Sequence, residues 1–139
     1  MALYESNYVR LASLTGALAK LAGRHRSQVE GDCDLLLSVT ARSPYTTTLN
    51  LTYHFADTAG EGGAADYPDM SIRVYHDAHL VEAQEWAGAH PHAYLQSLRQ
   101  RAERELDQRW ARNMMLNKWL EYCLERGHRF SPATLIAAS

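Results

Sequence analysis

The stretch that decides the fold is Pro68-Asp-Met-Ser-Ile-Arg-Val-Tyr-His-Asp-Ala-His-Leu-Val-Glu-Ala83. Met70, Ile72 and Val74 alternate with polar or amphipathic residues, which is the period of a half-buried strand. A polar turn interrupts this alternation, and apolar residues resume at Leu80. The stretch therefore predicts two antiparallel strands, near residues 69–76 and 79–86, joined by a tight hairpin.

Two further strands are predicted upstream of this hairpin, near residues 34–42 and 46–55. Each alternates apolar and polar residues, and Ser43-Pro44 marks the turn between them. Leucines and aromatic residues share one face of the second strand, and the other face is polar. The residues expected to face solvent there are Thr48, Asn50, Thr52 and His54. The pattern predicts a sheet with one buried and one wet face.

Helices are predicted at both ends of the chain. Apolar residues at three- and four-residue steps indicate a helix over residues 4–22, ending at Gly23. A second helical pattern runs from Pro91 to Gly127. Because one straight helix of that length would be too long for so small a domain, a break is expected near residues 106–110.

The predicted fold class is therefore α+β. It has an N-terminal helix, a four-stranded antiparallel meander sheet and two C-terminal helices packed on one sheet face. The 139 residues are expected to form a single domain, 1–139. Residues 56–67, with three glycines, are predicted to be a flexible loop, and the tail 131–139 is expected to be loosely held.

Composition limits the classes of function. The net charge is −2, so the chain as a whole has no pull toward nucleic acid or anionic membranes, and neither partner is predicted. Cys33 and Cys123 are far apart, and no secretory signal or apolar membrane span is evident. Two reduced thiols and a cytoplasmic location are the prediction. Nothing in the composition separates a monomer from a homodimer.

Four blocks of the sequence resemble those of the YqiB-like proteins, an uncharacterised bacterial family. The blocks are Tyr4-Glu-Ser-Asn-Tyr8 with Arg10-Leu11, Pro44-Tyr-Thr-Thr-Thr-Leu49, Val74-Tyr-His-Asp-Ala78, and Trp119-Leu with Tyr122-Cys-Leu124 and Gly127-His128. They occur in the same order from about residue 4 to residue 130. Because genes of that family often lie near nucleotide hydrolases, including cyclic-AMP phosphodiesterase, the resemblance implies a link to nucleotide signalling.

The chain also departs from the family pattern at acidic positions. Ala41 stands where similar proteins usually carry glutamate, and Gln108 and Ala111 replace Glu and Gln. Asn113, another position of that family block, is retained. If a missing glutamate were the family's general base, this member would be inactive, which favours a protein that is not an enzyme.

The first candidate site is the polar edge at the end of the predicted hairpin. Its members are Arg73, Tyr75, His76 and Asp77, joined by the YTT block Tyr45, Thr46 and Thr47. Histidine titrates near neutrality and a neighbouring carboxylate can orient it, so the group could relay protons. The alternative is structural, with Asp77 capping the turn and Arg73 paired across the sheet.

The second candidate is an anion site on the C-terminal helices. Arg101, Arg104 and Arg112 are expected to share a helix face with Gln108, and Asn113 is added because it is retained from the family pattern. Arginine favours bidentate contacts with phosphate or carboxylate groups. Interleaved acidic residues leave open a solvated face stabilised by ion pairs four residues apart.

The histidines His76, His79, His90 and His92, together with Asp77, could supply nitrogen and oxygen ligands to zinc. Their spacings match no known zinc motif, and neither cysteine is near them in sequence. The prediction is no metal and no cofactor.

The leading hypothesis is a cytosolic, non-enzymatic regulatory or adaptor domain that binds a protein partner or a nucleotide-like anionic ligand, such as a cyclic nucleotide or dinucleotide. One alternative is a small hydrolase or transferase acting on a nucleotide or phosphoester, with His76 as acid–base and Arg73 as charge stabiliser. Another is a structural subunit of a complex.

Overall fold

Six strands form one antiparallel sheet in the order β5-β4-β3-β2-β1-β6, and three helices accompany it. The structure is a computed structural model that describes residues 2–54, 70–86 and 92–138. The elements are α1 (Ala2–Thr15), β1 (Arg24–Ser27), β2 (Asp34–Arg42), β3 (Thr46–His54), β4 (Met70–Tyr75), β5 (Leu80–Trp86), α2 (Ala93–Glu103), α3 (Gln108–Arg126) and β6 (Leu135–Ala137). The α+β class is confirmed.

The predicted meander is present as β2 to β5. Its turn residues behave as expected, since the β4–β5 hairpin reverses over residues 76–79 and His79 adopts a positive φ of 54°. The alternating apolar residues of β4 and β5 are buried, with Ile72 and Val81 fully inaccessible. Period-two alternation therefore predicted these strands to within one or two residues of their ends.

The prediction of four strands is wrong, because β1 and β6 extend the sheet beyond β2. β1 pairs with both β2 and β6. It has no apolar residue, and it buries His25 and Ser27 instead. The two ring nitrogens of His25 lie 2.9 Å from Thr134 Oγ1 and 2.9 Å from the Ala22 carbonyl oxygen. A strand that satisfies buried polar groups in this way has no hydrophobic alternation for the sequence to reveal.

The pairing of β6 with β1 also corrects the prediction of a loosely held C-terminal tail, 131–139. Residues Pro132–Thr134 form one turn of 3₁₀ helix with a capping box between Ser131 and Thr134, and β6 follows directly. β6 then pairs with β1. Backbone hydrogen bonding thus holds a segment whose side chains are largely exposed.

The first helix ends earlier than the apolar pattern predicts. α1 stops at Thr15 because Gly16 adopts a φ of +74°, and its N–H closes the helix on the Ala12 carbonyl. Leu18 and Leu21 still enter the core, although they belong to a short 3₁₀ turn and its exit rather than to α1. The apolar residues at helical spacing therefore continue into the core beyond the residue at which the helix ends.

Gly23 offers a test of the β1–β6 junction. Its φ is +79°, and a Cβ added to it would lie 2.5 Å from the Ala137 carbonyl oxygen. We expect Gly23→Ala to lower the free energy of unfolding by about 2 kcal/mol, because left-handed strain adds to displacement of β6. Gly16→Ala is the matched control, since Gly16 also has positive φ but nothing lies within 4 Å of its added Cβ. Urea unfolding measures the free energy of unfolding of both variants. Equal losses in the two would show that the clash of the added Cβ with β6 contributes nothing.

The C-terminal helices have the predicted break and ending. α2 ends at Glu103, and the carboxylate of Asp107 caps α3 by accepting the Trp110 N–H at 3.0 Å. Gly127, with a φ of +97°, closes α3. The packing differs from the prediction: α1 and α3 lie against each other and against β5, whereas α2 packs mainly on α3. The fully buried Trp119 of α3 contacts the rings of Tyr53 on β3 and Trp86 on β5.

The polar face of β3 is less wet than predicted. Asn50 is half-buried, but Thr52 and His54 are each only 8% exposed. β2 pairs with β3 as far as His54, whereas β4 pairs with it only from Thr46 to Leu51, so β2 is the neighbouring strand at Thr52 and His54. The predicted flexible loop, 56–67, lies outside the described residues. Among the described helices, none has both the length and the apolar character needed to span a bilayer.

Candidate functional site

Arg73 and Tyr75 lie on the polar face of the sheet. Arg73 is exposed and stands opposite Glu82 of β5, while the Tyr75 hydroxyl donates to Glu82 Oε1 at 3.1 Å. Glu82 Oε2 also accepts two hydrogen bonds from the Arg109 guanidinium, at 3.0 and 2.7 Å. The Glu82 carboxylate is thus already occupied by protein donors at this edge.

His76 and Asp77 do not join Arg73. His76 Nε2 shares a 2.7 Å hydrogen bond with Thr47 Oγ1, and Thr47 is only 1% exposed on the apolar face of β3. Asp77 is exposed in the turn. Arg73 and His76 therefore reach opposite faces of the sheet, and the acid–base and charge-stabilising pair of the hydrolase alternative is not assembled here.

The rest of the YTT block is partly structural. Tyr45 is 64% exposed, and its carbonyl accepts the backbone N–H of His76 at 2.9 Å. Thr46 Oγ1 lies 2.6 Å from Ser43 Oγ. The bond between Tyr45 and His76 joins the β2–β3 turn to the β4–β5 turn. Within the YTT block, the Tyr45 ring is the group that is exposed to solvent.

Asn113 is a core residue, which corrects its assignment to a ligand site. It is 0% exposed, and its Oδ1 accepts the Ala83 backbone N–H at 2.8 Å and Asn7 Nδ2 at 3.3 Å. Its own amide donates to the Arg109 carbonyl at 2.9 Å. With every polar atom satisfied internally, the side chain ties α3 to β5 and α1, and no ligand can reach it.

The predicted arginine face is divided by the helix break. Arg101 and Arg104 belong to the end of α2, whereas Arg112 belongs to α3. Arg104 is exposed and donates to the Gln100 carbonyl at 3.3 Å. Arg101 borders an apolar groove with Trp110 and Lys118. The single-face prediction is wrong, because a face continues only while the helix does.

Arg112 instead lines a cleft of about 450 Å³ where the end of β5 meets α2 and α3. We call this the α2–α3 cleft. The side chains that matter for its chemistry are Gln84, Glu85, Trp86, Arg99, Glu103, Gln108 and Arg112. Its volume lies within the range of small-molecule sites, roughly 300–1,000 Å³.

The charges of the α2–α3 cleft are unevenly compensated. Arg99 pairs with Glu103 at 3.4 Å. Arg112, by contrast, has a buried Nε without a hydrogen-bond partner in the described parts of the chain. Glu85, exposed on β5, forms no ion pair with another described residue. An unsatisfied buried guanidinium N–H is unfavourable unless a ligand or water accepts it.

A second polar group, which we call the Asp32 cluster, comprises Asp32, Cys33, Tyr53, His92 and His128. The Asp32 side chain is 3% exposed. Its Oδ2 accepts hydrogen bonds from the Tyr53 hydroxyl and, at 2.9 Å, from His128 Nε2. Its Oδ1 lies 3.7 Å from His92 Nε2.

The surroundings of the Asp32 cluster hold it in place. The other ring nitrogen of His128 lies 2.9 Å from Ser27 Oγ, so β1, the β1–β2 turn and the end of α3 meet at this imidazole. Arg126 donates to the Gly31 carbonyl at 2.9 Å, and its Nε lies 3.9 Å from the carboxylate. The Tyr53 ring contacts those of His92 and His128, with centroids 4.9 and 5.9 Å away.

Electrostatics in the Asp32 cluster favours the ionised carboxylate. Burial acts to raise the pKa of Asp32, but the hydrogen bonds from Tyr53 and His128 outweigh it, so this pKa lies below its ordinary value. The same burial raises the pKa of Tyr53 and of Cys123, and Asp32 contributes to both shifts. The phenol and the Cys123 thiol therefore keep their protons beside an ionised carboxylate.

The structure groups potential metal ligands differently from the histidine set considered in the sequence. Among the described residues, the ligand atoms of Asp32, Cys33 and His92 lie within 4.8 Å of one another. His76 is bonded to Thr47, His79 stacks on Tyr8 with centroids 5.0 Å apart, and His90 lies outside the described residues.

Of the Asp32 cluster, sequence reasoning named His92 as a possible metal ligand but did not group it with Asp32, Cys33, Tyr53 and His128. Asp32 and Cys33 precede β2 without a recognisable motif, and their partners come from distant elements. One signal was available: Gly127-His128 lies in a block shared with the resembling family, and a histidine directly after a helix-ending glycine is well placed to reach back to the sheet. Trp86 and Arg99 of the α2–α3 cleft carried no comparable signal.

Comparisons with known proteins identify the family and leave its biochemistry open. A sequence model described as "Protein of unknown function (DUF1249)" matches residues 10–129. No curated protein and no solved structure matches the chain. Since the matched segment takes in α1 from Arg10, all of the sheet but β6, and all of α2 and α3, the chain belongs to the DUF1249 family of proteins of unknown function.

Proposed function

We propose that this protein is a cytoplasmic, non-enzymatic regulatory domain of the YqiB-like bacterial kind, and that it binds a nucleotide-like anionic small molecule in the α2–α3 cleft. The observation that carries the proposal is Arg112, which lines the cleft and has a buried Nε with no hydrogen-bond partner among the described residues. A phosphate oxygen is a strong acceptor for that group, and charge-assisted hydrogen bonds of this kind are among the strongest in proteins.

The other side chains of the cleft support a nucleotide over simple phosphate. Trp86 offers an aromatic ring on which a base can stack. Glu85 can accept hydrogen bonds from ribose hydroxyls, and Gln84 and Gln108 can both donate and accept. Arg112 Nε and the Glu85 carboxylate, which have no partners in the part of the chain that the structure describes, suit a ligand that combines a phosphate with hydrogen-bond donors.

The polar edge of the sheet does not compete with this cleft as a catalytic site. Glu82, which stands opposite Arg73 on β5, already accepts hydrogen bonds from Tyr75, Gln84 and Arg109. His76 faces away from Arg73 and bonds to Thr47. The exposed Arg73 and Tyr45 therefore fit a contact with a protein partner better than they fit a reaction centre.

Isothermal titration with nucleoside monophosphates, cyclic mono- and dinucleotides, sugar phosphates and inorganic phosphate tests the proposal. We expect saturable binding of at least one nucleotide, and Arg112→Gln should weaken it by about 10- to 100-fold, because one or two charge-assisted hydrogen bonds are lost. Arg101→Gln is the matched control: it removes an arginine from the neighbouring groove and should leave the affinity unchanged.

Two results would overturn the proposal. One is a panel in which no nucleotide binds, which would turn attention to a protein partner or to a structural role in a complex. The other is a nucleotide whose affinity is unaffected by Arg112→Gln or is equally weakened by Arg101→Gln. Either outcome would remove the α2–α3 cleft as the binding site.

A further inference from the structure

We propose that the Asp32 cluster binds a divalent metal ion of the zinc type through Asp32 Oδ1, Cys33 Sγ and His92. This proposal is independent of ligand binding in the α2–α3 cleft. It begins from the convergence of one oxygen, one sulfur and one nitrogen donor within 4.8 Å. Zinc accepts all three donor types, and thiolate with imidazole favours it over magnesium or calcium.

The two oxygens of the Asp32 carboxylate are held differently, and the Cys33 backbone N–H also donates a hydrogen bond to this carboxylate. Tyr53 and His128 both donate to Oδ2 of Asp32, so that oxygen is held by the protein. Oδ1 faces His92 Nε2 at 3.7 Å, which is beyond hydrogen-bond distance. Tetrahedral zinc with ordinary Zn–N and Zn–O bonds places two such ligands about 3.4 Å apart, so this oxygen and this nitrogen need move only slightly toward each other.

The hydrogen bonds to Oδ2, the other carboxylate oxygen of Asp32, match those found around metal ligands in proteins. Hydrogen bonds to a ligating carboxylate fix its orientation, and Tyr53 and His128 would do so here. His128 is itself held by Ser27 at 2.9 Å. The three protein ligands leave one tetrahedral position for a solvent molecule.

Metal binding changes the protonation of two ligands. Cys33 binds as thiolate, so its thiol proton is released to solvent as the Zn–S bond forms. His92 Nδ1 accepts the Tyr94 backbone N–H at 3.1 Å, so the ring hydrogen resides on Nε2. Coordination through Nε2 moves that hydrogen to Nδ1 without net loss, and Tyr94 N–H loses its acceptor. We therefore expect one proton to be released per ion and the first turn of α2 to loosen.

Titration of the full chain, purified with chelator and reductant, with Co²⁺ and then Zn²⁺ tests the site. We expect one Co²⁺ per chain with a near-ultraviolet thiolate-to-metal band that Zn²⁺ abolishes by displacement. Cys33→Ser should remove the band and weaken Zn²⁺ binding at least tenfold. Cys123→Ser is the matched control: its buried thiol hydrogen-bonds Tyr53 beside the site but is none of the proposed ligands, so the band should persist. His92→Asn should weaken binding while its side chain still caps α2.

Absence of stoichiometric Co²⁺ and Zn²⁺ binding would overturn the proposal, as would a band that survives in Cys33→Ser or disappears in Cys123→Ser. If Cys33→Ser fails to fold, the wild-type chain still decides the question. Zn²⁺ should then protect Cys33, and not Cys123, from alkylation, as measured by mass spectrometry of each cysteine peptide. Equal alkylation of Cys33 with and without Zn²⁺ would rule the site out.

Discussion

Asp32→Asn should lower the free energy of unfolding by about 3 kcal/mol at neutral pH. The substitution removes a buried charge on which Tyr53, His128 and Arg126 converge, and it leaves donors of those groups without a proper acceptor. Breaking a buried charge network by removing one partner commonly costs about 3–5 kcal/mol, and the isosteric amide recovers part of that loss. Urea unfolding in the presence of chelator measures the effect without any contribution from bound metal.

The pH dependence of this variant identifies the cause. Because the pKa of Asp32 is lowered in the folded state, its stabilising contribution is fully present above the ordinary value of 3.8 and is lost as the pH falls through the lower, folded value. The stabilities of wild type and Asp32→Asn should therefore converge in acid. Asp77→Asn, at an exposed carboxylate, is the matched control and should follow the wild type throughout. A gap that persists in acid would show that shape, and not charge, explains the loss.

Asn113→Ala should also destabilise the protein by about 3 kcal/mol. It leaves the Ala83 N–H and the Asn7 amide without their acceptor in the core, and it opens a small cavity between α3 and β5. Each buried polar group that loses its partner costs about 1–3 kcal/mol. Equilibrium unfolding in urea measures this through the transition midpoint at unchanged slope.

Asn50→Ala provides the comparison for Asn113→Ala. Asn50 is half-buried on the polar face of β3 and opposes Ser71 and Ser38 on the neighbouring strands. Its replacement should change stability by no more than about 0.5 kcal/mol. If the two alanine variants were equally stable, the hydrogen bonds of Asn113 would not contribute to holding α3 against β5. The prediction that Asn113 belongs to a ligand site would then regain support.

The contrast between these asparagines also explains which parts of the fold were readable from the sequence. Strands such as β4 carry their burial in the period of their own residues, so Ile72 and Val74 predicted both the strand and its inner face. The helix break before Asp107 and the ending at Gly127 were equally local, because capping depends on a few neighbouring residues. β1 and β6 were missed because their pairing is long-range and their side chains do not alternate in hydrophobicity.

The candidate sites were less predictable for a related reason. Arg112, one of the predicted ligand-binding residues, lines the α2–α3 cleft, whereas its predicted neighbours Arg101 and Arg104 belong to another helix. The Asp32 cluster combines the β1–β2 turn, β3, the start of α2 and the end of α3. Residues that meet only through tertiary packing leave no spacing in the sequence, and a single sequence contains no covariation from which to infer the contact.

The position of β6 has a consequence for how the sheet assembles and opens. Short turns join β2 to β3 and β4 to β5, whereas β6 follows α2 and α3 in the chain and pairs with β1 across nearly the whole sequence. Pairing of β6 with β1 closes a very long loop, and a strand of three residues offers few hydrogen bonds to offset that entropic cost. The β1–β6 pairing should therefore be the last part of the sheet to form and the first to open. Its release would expose the backbone of β1 to strands of other molecules. Arg24 and Arg26 place positive charge on that strand, and like-charge repulsion would then oppose edge-to-edge aggregation.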